Sequence, residues 1–524
     1  MRFFAFLALI GLMMACANVV PPTGGEPDKA PPEYVSSSPA NYTILYKGEP
    51  IRIDFNEYIK IQSPQQILIS PSLEVKPEIK ERYRSVYVDL KGQSLSENTT
   101  YTINFASSIA DITENNKQTN FRYVFSTGDF LDSLKITGQV LLAEKRTGEA
   151  DVLVGLYPEA QGDSALYKIK PFYFAKTNSD GYFSLENLKY GRFRLFAFKD
   201  DNNNLLYQAT EAVAFLDSAI ATDSLGSNFK LILFNDPESD RKPKEVRSIS
   251  PGQVRVKYAL PLDTATKVVM QNSSAAFTWQ INGDSLMLFH LEKEADTLRF
   301  LIEKPTSTDT LKVVNRKLGE KGYAKLTLQK LASSTPSIYE PLELITNHPI
   351  QTIDTTRFTW KMDTTVVNLP FKLLLNGTRL TVYPEFAPDS RYELFIDSAA
   401  LIDLFGMPSD TFRLVLNSGN AELFGSLILN ELDSLQPGDL IQLFDEQGKL
   451  KVQAKWKGES SIRFDKLRAI GYKLRVVRDA NNNGRFDTGS YLLRRQPEML
   501  WNAPDLVRLR ANWEVELSLA GWVK

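Results

Sequence analysis

Cysteine occurs once in this 524-residue chain, at Cys16, and histidine only twice, at His290 and His348. One cysteine rules out an intramolecular disulfide, so each domain must be held together by apolar burial. Neither histidine has Cys or His at metal-ligand spacing, and the two fall in different predicted domains. A Ser-His-Asp hydrolase would have to be built around one of them, yet no Gly-x-Ser-x-Gly elbow occurs. A charge excess is missing too: 61 Lys and Arg face 63 Asp and Glu. That balance argues against a dedicated nucleic-acid or polyanion binder. The short basic clusters Arg241-Lys242-Pro243-Lys244 and Arg494-Arg495 read as solvated surface or linker. Acidic residues are scattered over strand faces and single out no carboxylate pair for glycosidase chemistry. Helical periodicity is almost absent, and no segment after residue 15 reaches the ~20 apolar residues that span a bilayer.

What is present begins at the N-terminus. Met1-Arg2 precedes a nearly uninterrupted apolar run over residues 3–15, the length of a signal-peptide h-region. Ala15 places a small residue before Cys16, and residues 17–31 are rich in Pro and Gly. The segment resembles a bacterial lipoprotein signal, whose cysteine is diacylated and becomes the mature N-terminus. Met13 stands where Leu is usual in such signals, and an ordinary cleaved signal would leave the thiol incidental. The expectation is a signal peptide at 1–15, lipidation at Cys16 and a semi-rigid tether at 16–32. It places the protein at the outer membrane, with the periplasmic or external face open.

Period-two alternation over five to nine residues recurs along the rest of the chain, bounded by Pro, Gly, Asn and Asp. Residues 51–55, 86–90, 101–105, 254–258 and 513–519 all show it. Strands so spaced predict all-β architecture, a tandem array of small Ig-like and prealbumin-like sandwiches with one buried and one wet face. Internal matches divide the array. Residues 136–140 match 423–427, 154–157 match 441–444, and 183–188 match 462–467, each copy then running into an Asn triplet. One module type is thus expected at 133–235 and 420–524. A second type is expected at 33–130, 243–330 and 331–418. In it a Tyr follows a polar turn, at Tyr101 and Tyr392, where a corner tyrosine would bond back to the turn backbone.

These residues support a family resemblance. Pro31-Pro32, the Ser36 to Pro39 run, Asp54-Phe55-Asn56-Glu57-Tyr58 and Asn98-Thr-Thr-Tyr101 resemble the SbsA-type bacterial Ig-like domain of Bacteroidota lipoproteins. Gly138-Gln-Val140, Asp180-Gly-Tyr-Phe183 and Tyr190-Gly191 are similar to carboxypeptidase-regulatory-like or Cna-B-type sandwiches. The resemblance implies a spacer, stalk or binding module, not an activity.

One loop has coordination logic. Asp479, Asn481 and Asn483 stand at positions 1, 3 and 5 of an EF-hand-type pattern, Gly484 at 6, with Asp487 as a later ligand. Ser490 occupies position 12, where a bidentate Glu belongs, and no flanking helices are predicted. The related loop at 200–205 keeps the oxygens but has Leu205 in place of the glycine. The competing reading, an Asx turn bonding its own backbone, is the one expected, with calcium kept only as a weak candidate. Four of six Trp (Trp456, Trp501, Trp513, Trp522) fall in the last domain. Trp513 shares a strand face with Val515, Leu517 and Leu519 and is assigned to the core, leaving Trp501 and Trp522 as surface candidates for a glycan or a partner.

The reading that follows is a non-enzymatic, outer-membrane-anchored lipoprotein. Its sandwiches would serve as spacer, scaffold or partner-binding arm, with a protein partner in the envelope and no cofactor beyond the calcium candidate. A glycan-binding surface lipoprotein is the alternative, and a carboxylate hydrolase has no positive sign. Strung end to end, five such domains would reach more than about 100 Å.

Overall fold

The computed structural model describes residues 28–119, 121–223, 228–236, 242–259, 261–305, 307–320, 322–331 and 338–522. The signal, Cys16 and most of the tether lie outside the described residues. The chain is all-β, built of small sheets packed as sandwiches; the one α-helix described is Ala165–Lys168. It divides into two compact units. The first comprises residues 1–135 with Pro171–Ala175 and Leu185–Gly191; the second holds the remainder.

In the first unit, alternation makes the core. Strand Ile51–Phe55 buries Ile51, Ile53 and Phe55 and turns Arg52 and Asp54 away. Each such side chain taken out of water contributes roughly 1.5–3 kcal/mol. The front sheet has the order Tyr34–Ser38, Ile51–Phe55, Ser85–Asp89, Glu78–Arg82, and the facing sheet Arg122–Ser126, Thr100–Asn104, Leu68–Ser70. Their inner faces meet through Val86, Val88, Tyr101, Ile103, Tyr123 and Phe125. Tyr101 Oη accepts from Ser96 N at 2.8 Å, five residues back, so the corner tyrosine expected from the sequence is formed. The two later segments of this unit are pinned to it. Ser72 N donates to Phe172 O at 2.9 Å, Asn187 Nδ2 donates to Thr102 Oγ1 at 2.8 Å, and Arg122 pairs with Glu186.

The second unit repeats the same front sheet twice. Its orders are Glu245–Ser250, Gln253–Lys257, Ser285–His290, Phe277–Asn282, and then Leu328–Lys330, Leu342–Thr346, Arg379–Pro384, Phe371–Asn376. Tyr392 Oη accepts from Ala387 N at 2.9 Å, the counterpart of the Tyr101 corner. Leu326 and strand Leu328–Lys330, which the sequence reading gave to 243–330, pack instead into the following sandwich. They supply its edge strand, so that sandwich begins before residue 331.

The other module type also recurs. Strand Leu134–Leu142 pairs in parallel with Asn228–Leu233 (Thr137 opposite Asn228), as Phe424–Asn430 pairs in parallel with Glu514–Ser518. Leu153–Pro158 lies against Arg192–Phe198, which carries Val213–Phe215 and Ile220–Ala221. Leu440–Phe444, Gly471–Val477, Leu500–Asn502 and Val507–Arg508 repeat that arrangement. Here the one-wet-face expectation fails, because every residue of Leu153–Pro158 but the last is buried. Tyr157 on this strand meets the Phe196 ring at 5.4 Å, and Phe196 meets Tyr491 of the last module at 5.6 Å.

Candidate functional site

Between strands Gly471–Val477 and Leu500–Asn502 the chain makes a long excursion over residues 478–499. It opens with the Asx-rich loop. The Asp479 carboxylate accepts from Asn483 N at 2.9 Å and Gly484 N at 2.8 Å, and Asn481 Oδ1 accepts from Asn483 N at 3.0 Å. Asn482 and Gly484 take positive φ, 59° and 78°. The amide nitrogens of Asn481 and Asn483 both donate to Asp487 Oδ2, at 2.5 and 2.9 Å, while Asp487 Oδ1 faces Arg485 Nε at 3.3 Å. The four candidate residues are therefore brought together in a hydrogen-bonded turn. Glu498 closes the loop by accepting from Ala480 N and Asp487 N, both at 3.0 Å. Burial, aided by the charges of Asp487 and Asp479, pushes its carboxyl upward. The loop after Asp200 is built alike: Asp200 accepts from Asn204 N and Leu205 N, and Glu211 plays the part of Glu498. Leu205 reaches φ 63° without the glycine. Among the described residues no group of three or more His, Cys, Asp or Glu is arranged to hold a metal.

Beyond the loop the excursion docks on the module that contains strands Leu153–Pro158 and Arg192–Phe198. Tyr491 is buried, its ring 5.2 Å from Phe215, 5.6 Å from Phe196 and 5.8 Å from Tyr167, and its hydroxyl donates to Asp163 O at 2.7 Å. Burial holds that phenol at about 12. The fully buried Asp236 carboxylate accepts from Tyr491 N at 2.8 Å, Leu492 N at 3.3 Å and Ser490 Oγ at 3.4 Å. Arg494 lies over Tyr491, 4.6 Å from the ring centre, and pairs with Asp163, which Arg194 also holds at 2.7 Å. Gln496 reaches Phe215 O, Arg146 reaches Glu498 O, and Arg485 bonds Asp263 at 2.6 Å and Thr264 at 2.7 Å. The last sandwich is thus strapped to two earlier parts of its unit. These modules fold back on one another, which corrects the end-to-end picture for this unit. The signal that could have revealed the strap is the apolar run Tyr491-Leu492-Leu493 inside a polar connection.

The tryptophans reverse the expected order. Trp513 is 60% exposed with Arg510 5.5 Å over its ring, because strand Glu514–Ser518 starts only after it and the chain turns at Asn512, φ 59°. Trp501 and Trp522 are half-buried against the last core, Trp501 beneath Arg478, and Trp456 joins them with its Nε1 donating to Glu459 O.

Both histidines are buried. His348 Nδ1 lies 2.5 Å from Asp403 Oδ2, and Asp403 Oδ1 accepts from Phe405 N and Met407 N. On the other side Nε2 meets Asn347 Nδ2 at 3.4 Å. His290 is fully buried with neither ring nitrogen partnered by protein, and burial pulls its pKa down. Phe405 joins the two neighbourhoods: a Cβ on Gly252 would stand 2.5 Å from its ring and 2.9 Å from His290 O.

No curated protein matches the chain. Among solved structures it is similar to the Bacillus anthracis TIE protein (10% identity, 95% of this chain and 75% of that one, TM-score 0.13). Others are BcpA, the major pilin subunit of Bacillus cereus (10%, 74% and 98%, 0.13), and domains 1–6 of surface layer protein SbsC (10%, 85% and 64%, 0.14). None of these similarities bears on what the chain does. The family comparison is local and agrees with the first sandwich: residues 28–127 match the bacterial Ig-like domain.

Proposed function

We propose that this chain is a non-enzymatic lipoprotein of the outer membrane, anchored through Cys16, whose sandwiches hold a partner protein of the envelope in a fixed position. The modules would be five, at 33–130, 133–235, 243–330, 331–418 and 420–524 with Leu326 to Lys330 moved to the fourth, and the first of the SbsA type found in Bacteroidota lipoproteins. The observation that carries the scaffold role is the strap. A buried carboxylate on three donors and a tyrosine in an aromatic box are an elaborate way to fix two binding-module folds together, and they serve geometry, not turnover. Anchoring is supported by the apolar run 3–15 before a lone cysteine. Cys16→Ser should abolish metabolic lipid labelling and move the protein to the soluble fraction; unchanged membrane fractionation would refute the lipid as sole anchor. A pull-down with the lipidated chain then identifies the partner. The glycan reading keeps one observation in its favour, the exposed Trp513 ring, and requires that Trp513→Ala lose binding on a glycan array.

A further inference from the structure

One end of the first Ig-like domain carries an exposed cluster that its own fold does not use. Tyr58 and Tyr83 are 51% and 67% exposed and meet edge to face at 6.4 Å. Arg84 lies over Tyr58 at 5.1 Å and Arg82 over Tyr83 at 5.5 Å. Ile112, 51% exposed, is joined to them by its N–H, which donates to Tyr58 O at 3.2 Å. A guanidinium group occupies one face of each ring. What they offer outward is phenol edges, one aliphatic chain and two cations, the composition that settles at a membrane–water boundary.

The chain enters the domain at this same end. Asn116 Nδ2 donates to Asp28 O at 2.8 Å, Glu33 N donates to Asn56 Oδ1 at 2.8 Å, and Asp111 N donates to Asn116 O at 3.2 Å. From Asp28 back to Cys16 there is no more than about 40 Å of chain even when fully extended. With lipid on Cys16, the end that carries the cluster is held within reach of the bilayer.

We propose that this end of the domain rests on the membrane surface, with Tyr58, Tyr83 and Ile112 in the headgroup region and Arg82 and Arg84 on lipid phosphates. The inference rests on the lipid anchor at Cys16. Glu57 and Glu114 face the same end. The carboxyl of Glu57 is raised, by burial first and then by Asp111, Asp28 and Glu114, which eases its approach to the interface.

Cys16 is the only cysteine, so once it is acylated an introduced cysteine is the only free thiol. The full lipidated chain carrying Tyr83→Cys, Ile112→Cys or, as control on a strand of another sandwich, Thr308→Cys is labelled with nitrobenzoxadiazole. It is then reconstituted in vesicles of phosphatidylethanolamine and phosphatidylglycerol, 3:1. Expected are a blue-shifted emission and a several-fold loss of iodide quenching at 83 and 112, with neither change at 308. Equal quenching at all three positions, in protein that still floats with the vesicles, overturns the proposal while leaving the anchor intact. Shielding in native envelopes but not in vesicles also overturns it, and assigns the cluster to a protein partner. A wild-type chain whose Cys16 reacts with maleimide and does not float refutes the anchor itself.

Discussion

Replacing Tyr83 by glycine is expected to stabilise the first Ig-like domain, and the reason is written three times in the chain. The hairpins Glu78–Arg82/Ser85–Asp89, Phe277–Asn282/Ser285–His290 and Phe371–Asn376/Arg379–Pro384 hold the same place in sheets of the same order. Their first turn residues, Tyr83, Gly283 and Gly377, all sit at φ 59°. Each also offers its carbonyl to an equivalent amide, Ile59 at 3.0 Å, Leu262 at 2.9 Å and Ile350 at 3.2 Å. A side chain in that left-handed conformation costs about 1–2 kcal/mol, against about 0.5–1 kcal/mol of extra chain entropy lost by glycine on folding. The ring of Tyr83 returns no more than about 0.5 kcal/mol, the low end for an exposed cation–π pair, since its contacts to Tyr58 and Arg82 lie in solvent. The net expectation is a gain of about 0.5 kcal/mol for Tyr83→Gly, roughly 2–4 °C in the melting of a domain this size. Gly283→Tyr is the reciprocal experiment, because nothing stands within 4 Å of a Cβ there; it should cost about 1 kcal/mol. Amide hydrogen exchange on strands Ser85–Asp89 and Ser285–His290 of the whole chain reads both locally. Lower protection in Tyr83→Gly, or no loss in Gly283→Tyr, would refute the equivalence of the turns.

Three further outcomes follow from buried groups. His290 stays neutral when folded because burial depresses its pKa, though the nearby Glu292 opposes this. As pH falls below about 6.5 the unfolded chain gains a proton the native state refuses. Protection of strand Ser285–His290 should therefore drop, by at most about 1.4 kcal/mol per pH unit, and His290→Leu should flatten that slope. Tyr491→Ala should cost about 3 kcal/mol of strap attachment, seen as new proteolysis within 488–499 while the last sandwich, whose core lies elsewhere, still melts cooperatively. EDTA should leave the melting temperature of that sandwich unchanged, since the Asp479 turn satisfies its carboxylate with backbone N–H groups; a calcium-dependent rise lost in Asp479→Ala would refute this.

The strands were legible because each buries one face, and a period of two survives in composition: the alternation at 51–55 coincides with strand Ile51–Phe55, and that at 254–258 falls in Gln253–Lys257 except for its last residue. The corner tyrosines were legible for the same reason, being a local turn followed by a strand. What escaped were features decided by distant partners. Tyr491 looks like a loop residue until Phe196 and Phe215 surround it, and Leu328–Lys330 alternates equally well as the end of one sandwich or the edge of the next. Trp513 kept the parity of its strand but fell one residue outside it, where a turn cancels parity. Tyr83 carries no sequence signal of its left-handed backbone, which its Asn-Gly counterparts at 282–283 and 376–377 do.

The parallel pairing of first and last strands in the recurring module has a mechanical meaning. When the two ends of the module at Thr137 and Leu233 are pulled apart, the rungs between Leu134–Leu142 and Asn228–Leu233 are loaded all at once, in shear, instead of opening one after another like a zip. Force therefore meets the whole ladder before any part of the sandwich can extend. Under tension applied at its two ends, this module would be among the last parts of the chain to give.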